Sequence, residues 1–281
     1  MRSSNPVFTR RGFSRDNGYA GFGQNAMPPA GNPYAHGSPQ DLTAEQLRQM
    51  YQAPPASPAQ TGRMTIDDVV MRTAMTLGTV AVGALLAWFA LPVSGSSYGI
   101  AVGSALVAFV LGLIQTFKAA PTPGLIIGYA AFEGVFLGVI SKMYNEAWAG
   151  APVQAVLGTM AVFAGMLIAY RTRLVKVTDR YKRVGMAIAI GFILLTFVNL
   201  LFAAFGGGHG LGLRSGGLGV VVGIVGVLLG AFFLSLDFKQ IEDGIRYGAP
   251  QRESWLAAFG LTLSLVWIYL EMLRLISILR D

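Results

Sequence analysis

Three carboxylates stand inside apolar runs of this chain: Glu133 in "YAAFEGVFLG", Asp237 in "LSLDFKQIEDG" and Glu271 in "IYLEMLRLISIL". An acid in such surroundings can exchange a proton, hold a cation, or bond a neighbouring hydroxyl or base. A charged side chain at the centre of a bilayer costs at least about 2.5–3.5 kcal/mol, so it must face the interior of a bundle or water. Glu133 lies roughly nine residues into its run, near mid-depth of a bilayer. Proton or ion handling and a structural bond to a residue such as Asn199 fit that position equally. Asp237 closes an uncharged run, and an acid where a helix reaches the membrane surface needs no special role. Glu271 has Arg274 three residues on, the spacing of a helical ion pair. If Asp237 and Glu271 meet, they share a proton, and their charge state decides whether they hold a cation or a lysine. Lys118, at the end of another apolar run, is the base available to them.

The elements that must position these acids are legible in the composition. The chain has 281 residues, of which 53% are hydrophobic and only 12% charged, about half the charged fraction of a soluble domain. The apolar residues collect in stretches long enough to cross a bilayer. Spans are expected over 69–90, 98–117, 124–142, 152–170, 184–205 and 217–237, with a seventh inside 255–279. The fold expected is all-α, a polytopic bundle of seven transmembrane helices. The last span can begin at Trp255. Alternatively "GAPQRESWLAAFG" forms an interfacial helix and the span is 262–281, which would bring Glu271 to mid-membrane. Asp67 and Asp68 suit the N-terminus of the first span. Glycines four apart, Gly134 with Gly138 and Gly219 with Gly223, suit close helix packing.

Residues 1–62 differ in kind. Rich in Gly, Pro, Gln, Ala and Ser, they bury too little apolar surface to offset chain entropy and are expected to be a disordered tail, with "DLTAEQLRQMY" as a short helix inside it. The membrane domain is 63–281. The opening stretch has bases but no apolar segment behind them, and so does not read as a signal peptide. Topology follows the loop bases: Arg171, Arg173, Lys176, Arg180, Lys182 and Arg183 crowd one loop, with Lys118, Lys239, Arg246 and Arg252 on the same side. That side, and the N-terminus, is expected to be cytoplasmic, with the C-terminus outside. The net charge of +7 therefore belongs to membrane topology and not to nucleic acid.

The chain has no cysteine and two histidines, His36 in the tail and His209 in the glycine loop "GGGHGLG". Disulfides, thiolate metal sites and cysteine nucleophiles are excluded. There is no HExxH zinc motif, and the glycine loop lacks the lysine of a phosphate loop. No enzyme and no cofactor is expected.

Asp237, Gln240 and Ile241, followed by Tyr269, Leu270 and Glu271, resemble the last two spans of the Bax-inhibitor family of seven-span membrane proteins, which includes bacterial YccA-like and YetJ-like members. The "FEG" at 132–134 resembles the family's third span, and the similarity covers about 65–281. The resemblance implies a pH-sensitive calcium leak channel of the bacterial inner membrane. In it, acids of spans 6 and 7, here Asp237 and Glu271, share a proton and serve as the Ca²⁺ site, while Lys118 is the latch cation. Three features depart from the family pattern. The seventh-span acid is Glu, the latch base is Lys and not Arg, and the acids stand 34 positions apart, from 237 to 271. The implied partners are the bilayer, Ca²⁺ and protons. A second implied role, as in some YccA-like members, is a non-channel regulator that binds a membrane protease through its tail.

Overall fold

The computed structural model describes residues 62–118, 120–205 and 216–280. The expectations for residues 1–61, including the helix in 41–51, and for the loop holding His209 and Arg214 lie outside the described residues. Seven long helices result: α1 (Ile66–Ala90), α2 (Gly95–Phe117), α3 (Pro123–Ala147), α4 (Ala151–Arg171), α5 (Asp179–Phe205), α6 (Gly216–Arg246) and α7 (Ser254–Arg280). All seven are long and apolar enough to cross a membrane.

Local chemistry sets the ends. Thr65 caps α1 through a capping box: its hydroxyl accepts from the Asp68 backbone N–H, and the Asp68 carboxylate accepts from the Thr65 N–H, both at 3.1 Å. Ser94 caps α2, Pro123 opens α3, and Pro152 lies in the first turn of α4. At the far end of α1, Lys142 Nζ donates to the carbonyls of Trp88 and Leu91 at 2.8 and 2.6 Å, closing carbonyls that the last turn leaves unpaired.

Two spans differ from the sequence reading. Helix α6 does not stop at Asp237 but continues nine residues to Arg246; the charges after 237 mark where the helix meets the surface, not where it ends. Helix α7 is continuous from Ser254, preceded by one 3₁₀ turn, Gln251–Glu253, so no separate interfacial helix forms.

Helix α7 is the central post of the bundle. Inside the bundle 56% of its apolar window is buried, against 11% for α4. It packs on α1, α3, α4 and α6, whereas α5 lies outside against α6. Tyr129 of α3 meets Phe259 of α7 edge-on at 5.2 Å, and Ile126, Ala130 and Val266 fill the space beside them. The α1–α3 seam is closer still. A Cβ at Gly138 would lie 2.8 Å from Ala84 Cα, and one at Gly134 would lie 3.1 Å from Gly83 Cα. Only glycine allows this approach, which is the packing role expected of that pair.

One end of the bundle gathers the bases. The start of α1 is stitched to the turn before α7: Met64 N–H donates to Ala249 O and Gln251 N–H to Gly62 O, both at 2.8 Å, and Gln251 Nε2 donates to Asp68 Oδ1 at 2.7 Å. Ile66 also shares a cleft with the ends of α4 and α6. This end is the basic face.

Candidate proton and ion site

Two polar layers interrupt the apolar interior. The first lies eight to ten residues in from the basic ends of α1, α3, α6 and α7, or about 12–15 Å at the helical rise. Asp237 belongs to it and is half-buried. Ser264 Oγ of α7 donates to Asp237 Oδ2 at 2.5 Å. One turn earlier on α7, Gly260 makes room for the carboxylate, since a Cβ there would lie 2.8 Å from Oδ1. Among the described residues no cation forms an ion pair with Asp237; the nearest lysine along its helix, Lys239, is bound to Asp243 at 2.7 Å.

On the far side of α7, at the same depth, Thr262 and Thr76 of α1 share a hydrogen bond of 2.9 Å, both fully buried. Glu133 is buried there too, one turn beyond Tyr129. Among the described residues no hydrogen bond or ion pair is recorded at its carboxylate. Helix α7 stands between Glu133 and Asp237.

The second layer lies toward the other face. Glu271 Oε2 and Arg274 Nη2 pair at 2.7 Å, with both residues about 8% exposed. Gly226 of α6 gives the Glu271 carboxylate its space, as a Cβ there would lie 2.6 Å from Oε2. Trp267 Nε1 donates to Gly226 O at 3.0 Å, and Ser141 bonds the Tyr269 hydroxyl at 2.6 Å.

The expected contact between Asp237 and Glu271 is therefore not made. Asp237 is level with Gly260 and Ser264, whereas Glu271 is level with Gly226. Seven residues of α7 and eleven of α6 separate these levels, or about 10–16 Å along the seam. The cause is the continuous start of α7 at Ser254: an antiparallel partner that begins so early carries Glu271 past Asp237. Glu271 keeps the helical partner that its spacing offered. Among the described residues no three Asp, Glu or His side chains cluster to hold a metal ion. Lys118 is exposed at the C-cap of α2, a helix that packs chiefly on α3, and forms no ion pair with either acid among the described residues.

Ser264 and Gly260 escaped the sequence reading. Their signal was present: a small residue and a hydroxyl four apart on one face of the last helix, the pattern that lets a neighbouring side chain enter and be bonded. It was not usable without knowing which depth of α6 they face.

The fold and its interior charges define a polytopic membrane protein built on a central last helix. The chain matches the family described as Bax inhibitor 1 like over residues 5–281 and belongs to that family. No curated protein sequence matches the chain.

Proposed function

We propose that the protein is a proton-regulated calcium leak in which Asp237 is the titrating group and Glu133 a second intramembrane acid. The observation that carries this reading is the seat of Asp237: a carboxylate deep in the α6–α7 seam, held by the Ser264 hydroxyl alone, with no ion-pair partner among the described residues. A neutral acid is stable there. Once ionised, it must find water or a cation, because an uncompensated charge in a bundle interior is costly. Raising the pH therefore opens the seam to hydration and to Ca²⁺, which prefers oxygen ligands. The other titratable groups nearby are committed. Lys239 pairs with Asp243, Glu242 accepts from the Tyr170 hydroxyl, and the Tyr181 hydroxyl meets Ser235 at 3.1 Å. The loop-charge bias supports a cytoplasmic basic face, and the family resemblance suggests a bacterial inner membrane.

The test is Ca²⁺ flux into liposomes against pH. Wild-type flux should rise with pH, by up to about tenfold per unit, the limit for one titrating group. Asp237→Asn should make it low and flat. No flux at any pH, with or without residues 1–62, would overturn the channel reading and leave the regulator of a membrane protease as the function.

A further inference from the structure

The basic face carries a built cleft that the proton and ion site does not use. It measures about 760 Å³ and lies between the end of α4, the 172–178 loop and the end of α6. Five bases line it, and four of them, Arg171, Arg173, Lys176 and Arg246, come from three elements and lie outside any ion pair among the described residues. All four are exposed. The acid on its wall, Glu242, accepts from the Tyr170 hydroxyl, and Lys239 is held by Asp243. The net charge facing the cleft is strongly positive.

Its floor is apolar. Leu167, Ile245 and the ring of Phe238 line it below the bases. Leu167 lies four residues inside the end of α4, and Phe238 eight residues inside the end of α6, so the floor reaches about 6–12 Å into the membrane-spanning region. A cleft with cations at the membrane surface and hydrocarbon beneath matches an amphiphile with an anionic head. A soluble anion has no use for such a floor, and an uncharged lipid has no use for the bases.

The loop adds a second sign that this wall is built. Arg173 has φ +59°, the left-handed region that glycine commonly takes just beyond a helix end. An arginine bears a backbone cost there that glycine would avoid. The turn it makes leads the chain from α4 toward Lys176, with Val175 N–H bonded back to Ala169 O at 3.2 Å.

We propose that this cleft binds the headgroup of an anionic phospholipid, with the upper part of one acyl chain lying over Leu167 and Phe238. Basic pockets between membrane helices are suited to such headgroups.

The test uses the full chain purified with a mixture of phosphatidylglycerol and phosphatidylcholine, with retained lipid counted by native mass spectrometry. Wild type should retain phosphatidylglycerol in preference to phosphatidylcholine. Arg173→Gly removes the charge while suiting the backbone, so it should fold; it should lower that preference about fivefold, the effect of one base near a membrane surface. Lys176→Gln with Arg246→Gln should lower it further, and Arg173→Lys should keep most of it. Arg183→Gln, on the same face but outside the cleft, should leave it unchanged. Equal retention of the two lipids by wild type, or an equal loss with Arg183→Gln, would overturn the proposal in favour of diffuse surface charge. Displacement of the lipid by inorganic phosphate would overturn the lipid as occupant. The readout is bound lipid and not ion flux, so its failure is distinct from failure of the leak reading.

Discussion

The two polar layers of this bundle treat charge in opposite ways. In the layer toward the C-terminal end of α7, each described charge has a counterpart: Glu271 faces Arg274, and Lys142 lies on two carbonyls of α1. In the layer nearer the basic face, Asp237 has a hydroxyl and Glu133 has neither ion pair nor hydrogen bond among the described residues. Compensated charge fixes helices against one another. Charge left to a hydroxyl, or to nothing, remains free to change state. The difference separates a compensated layer, with its charges on α3 and α7, from an uncompensated one, with its acids on α3 and α6.

Breaking the compensated layer should have the largest effect. Arg274→Met leaves Glu271 buried without its helical partner and should destabilise the protein by about 3–5 kcal/mol, read by unfolding in detergent. Adding Glu271→Gln should recover much of that loss, because the two residues act as one unit. Full additivity of the two substitutions would show that the pair is not what holds this layer.

Next in size is the α1–α3 seam that supports Glu133. Gly138→Val sets a branched side chain against the Ala84 backbone and should cost about 1–3 kcal/mol. Gly95, which has open space around it, is the control: Gly95→Ala should change stability little. Equal behaviour of the two would remove the steric account of the seam.

In the layer of Asp237, Ser264→Ala should leave the fold intact and cost about 0.5–1.5 kcal/mol, the value of one hydrogen bond. Its signature is functional. The pH dependence of Ca²⁺ flux should move while the slope remains that of a single group. Thr76→Val in the same layer removes a comparable bond to Thr262 but should leave the pH dependence in place, since that bond lies across α7 from Asp237. A matching shift in both variants would mean that the layer responds as a whole and not through Asp237.

Smallest of all is Lys118→Gln. Exposed at the end of α2, Lys118 should be silent in both stability and flux. A clear effect would revive the latch assigned to it by family resemblance.

Most of the fold was legible because bilayer physics is strict. Stretches of apolar residues had to become helices, and their number and order follow from the sequence. The Gly134–Gly138 seam was legible for a similar reason, as few roles other than close packing need that spacing. Depth was harder to read. Asp237 looked interfacial because Lys239, Glu242 and Asp243 follow it, yet a helix keeps its backbone bonds as well in water as in lipid, so α6 runs on to Arg246. The pairing of acids failed for a related reason. Sequence spacing fixes where residues lie on their own helix, but the register between two helices is set by side-chain packing, here by Gly226, Gly230 and Gly260 receiving Glu271, Ile268 and Asp237.

The stitch between the start of α1 and the turn before α7 has a consequence in time. Gln251 and Asp68 are 183 positions apart, and Thr76 and Thr262 are 186 apart. A ribosome adding about 5–20 residues per second needs roughly ten to forty seconds between making the two sides of such a bond. The α1–α3 seam can close early, but the post that the other helices lean on is synthesised last. Until it arrives, Asp237 lacks both Ser264 and the hollow at Gly260, and the nascent membrane domain holds an acid whose shelter has yet to be made.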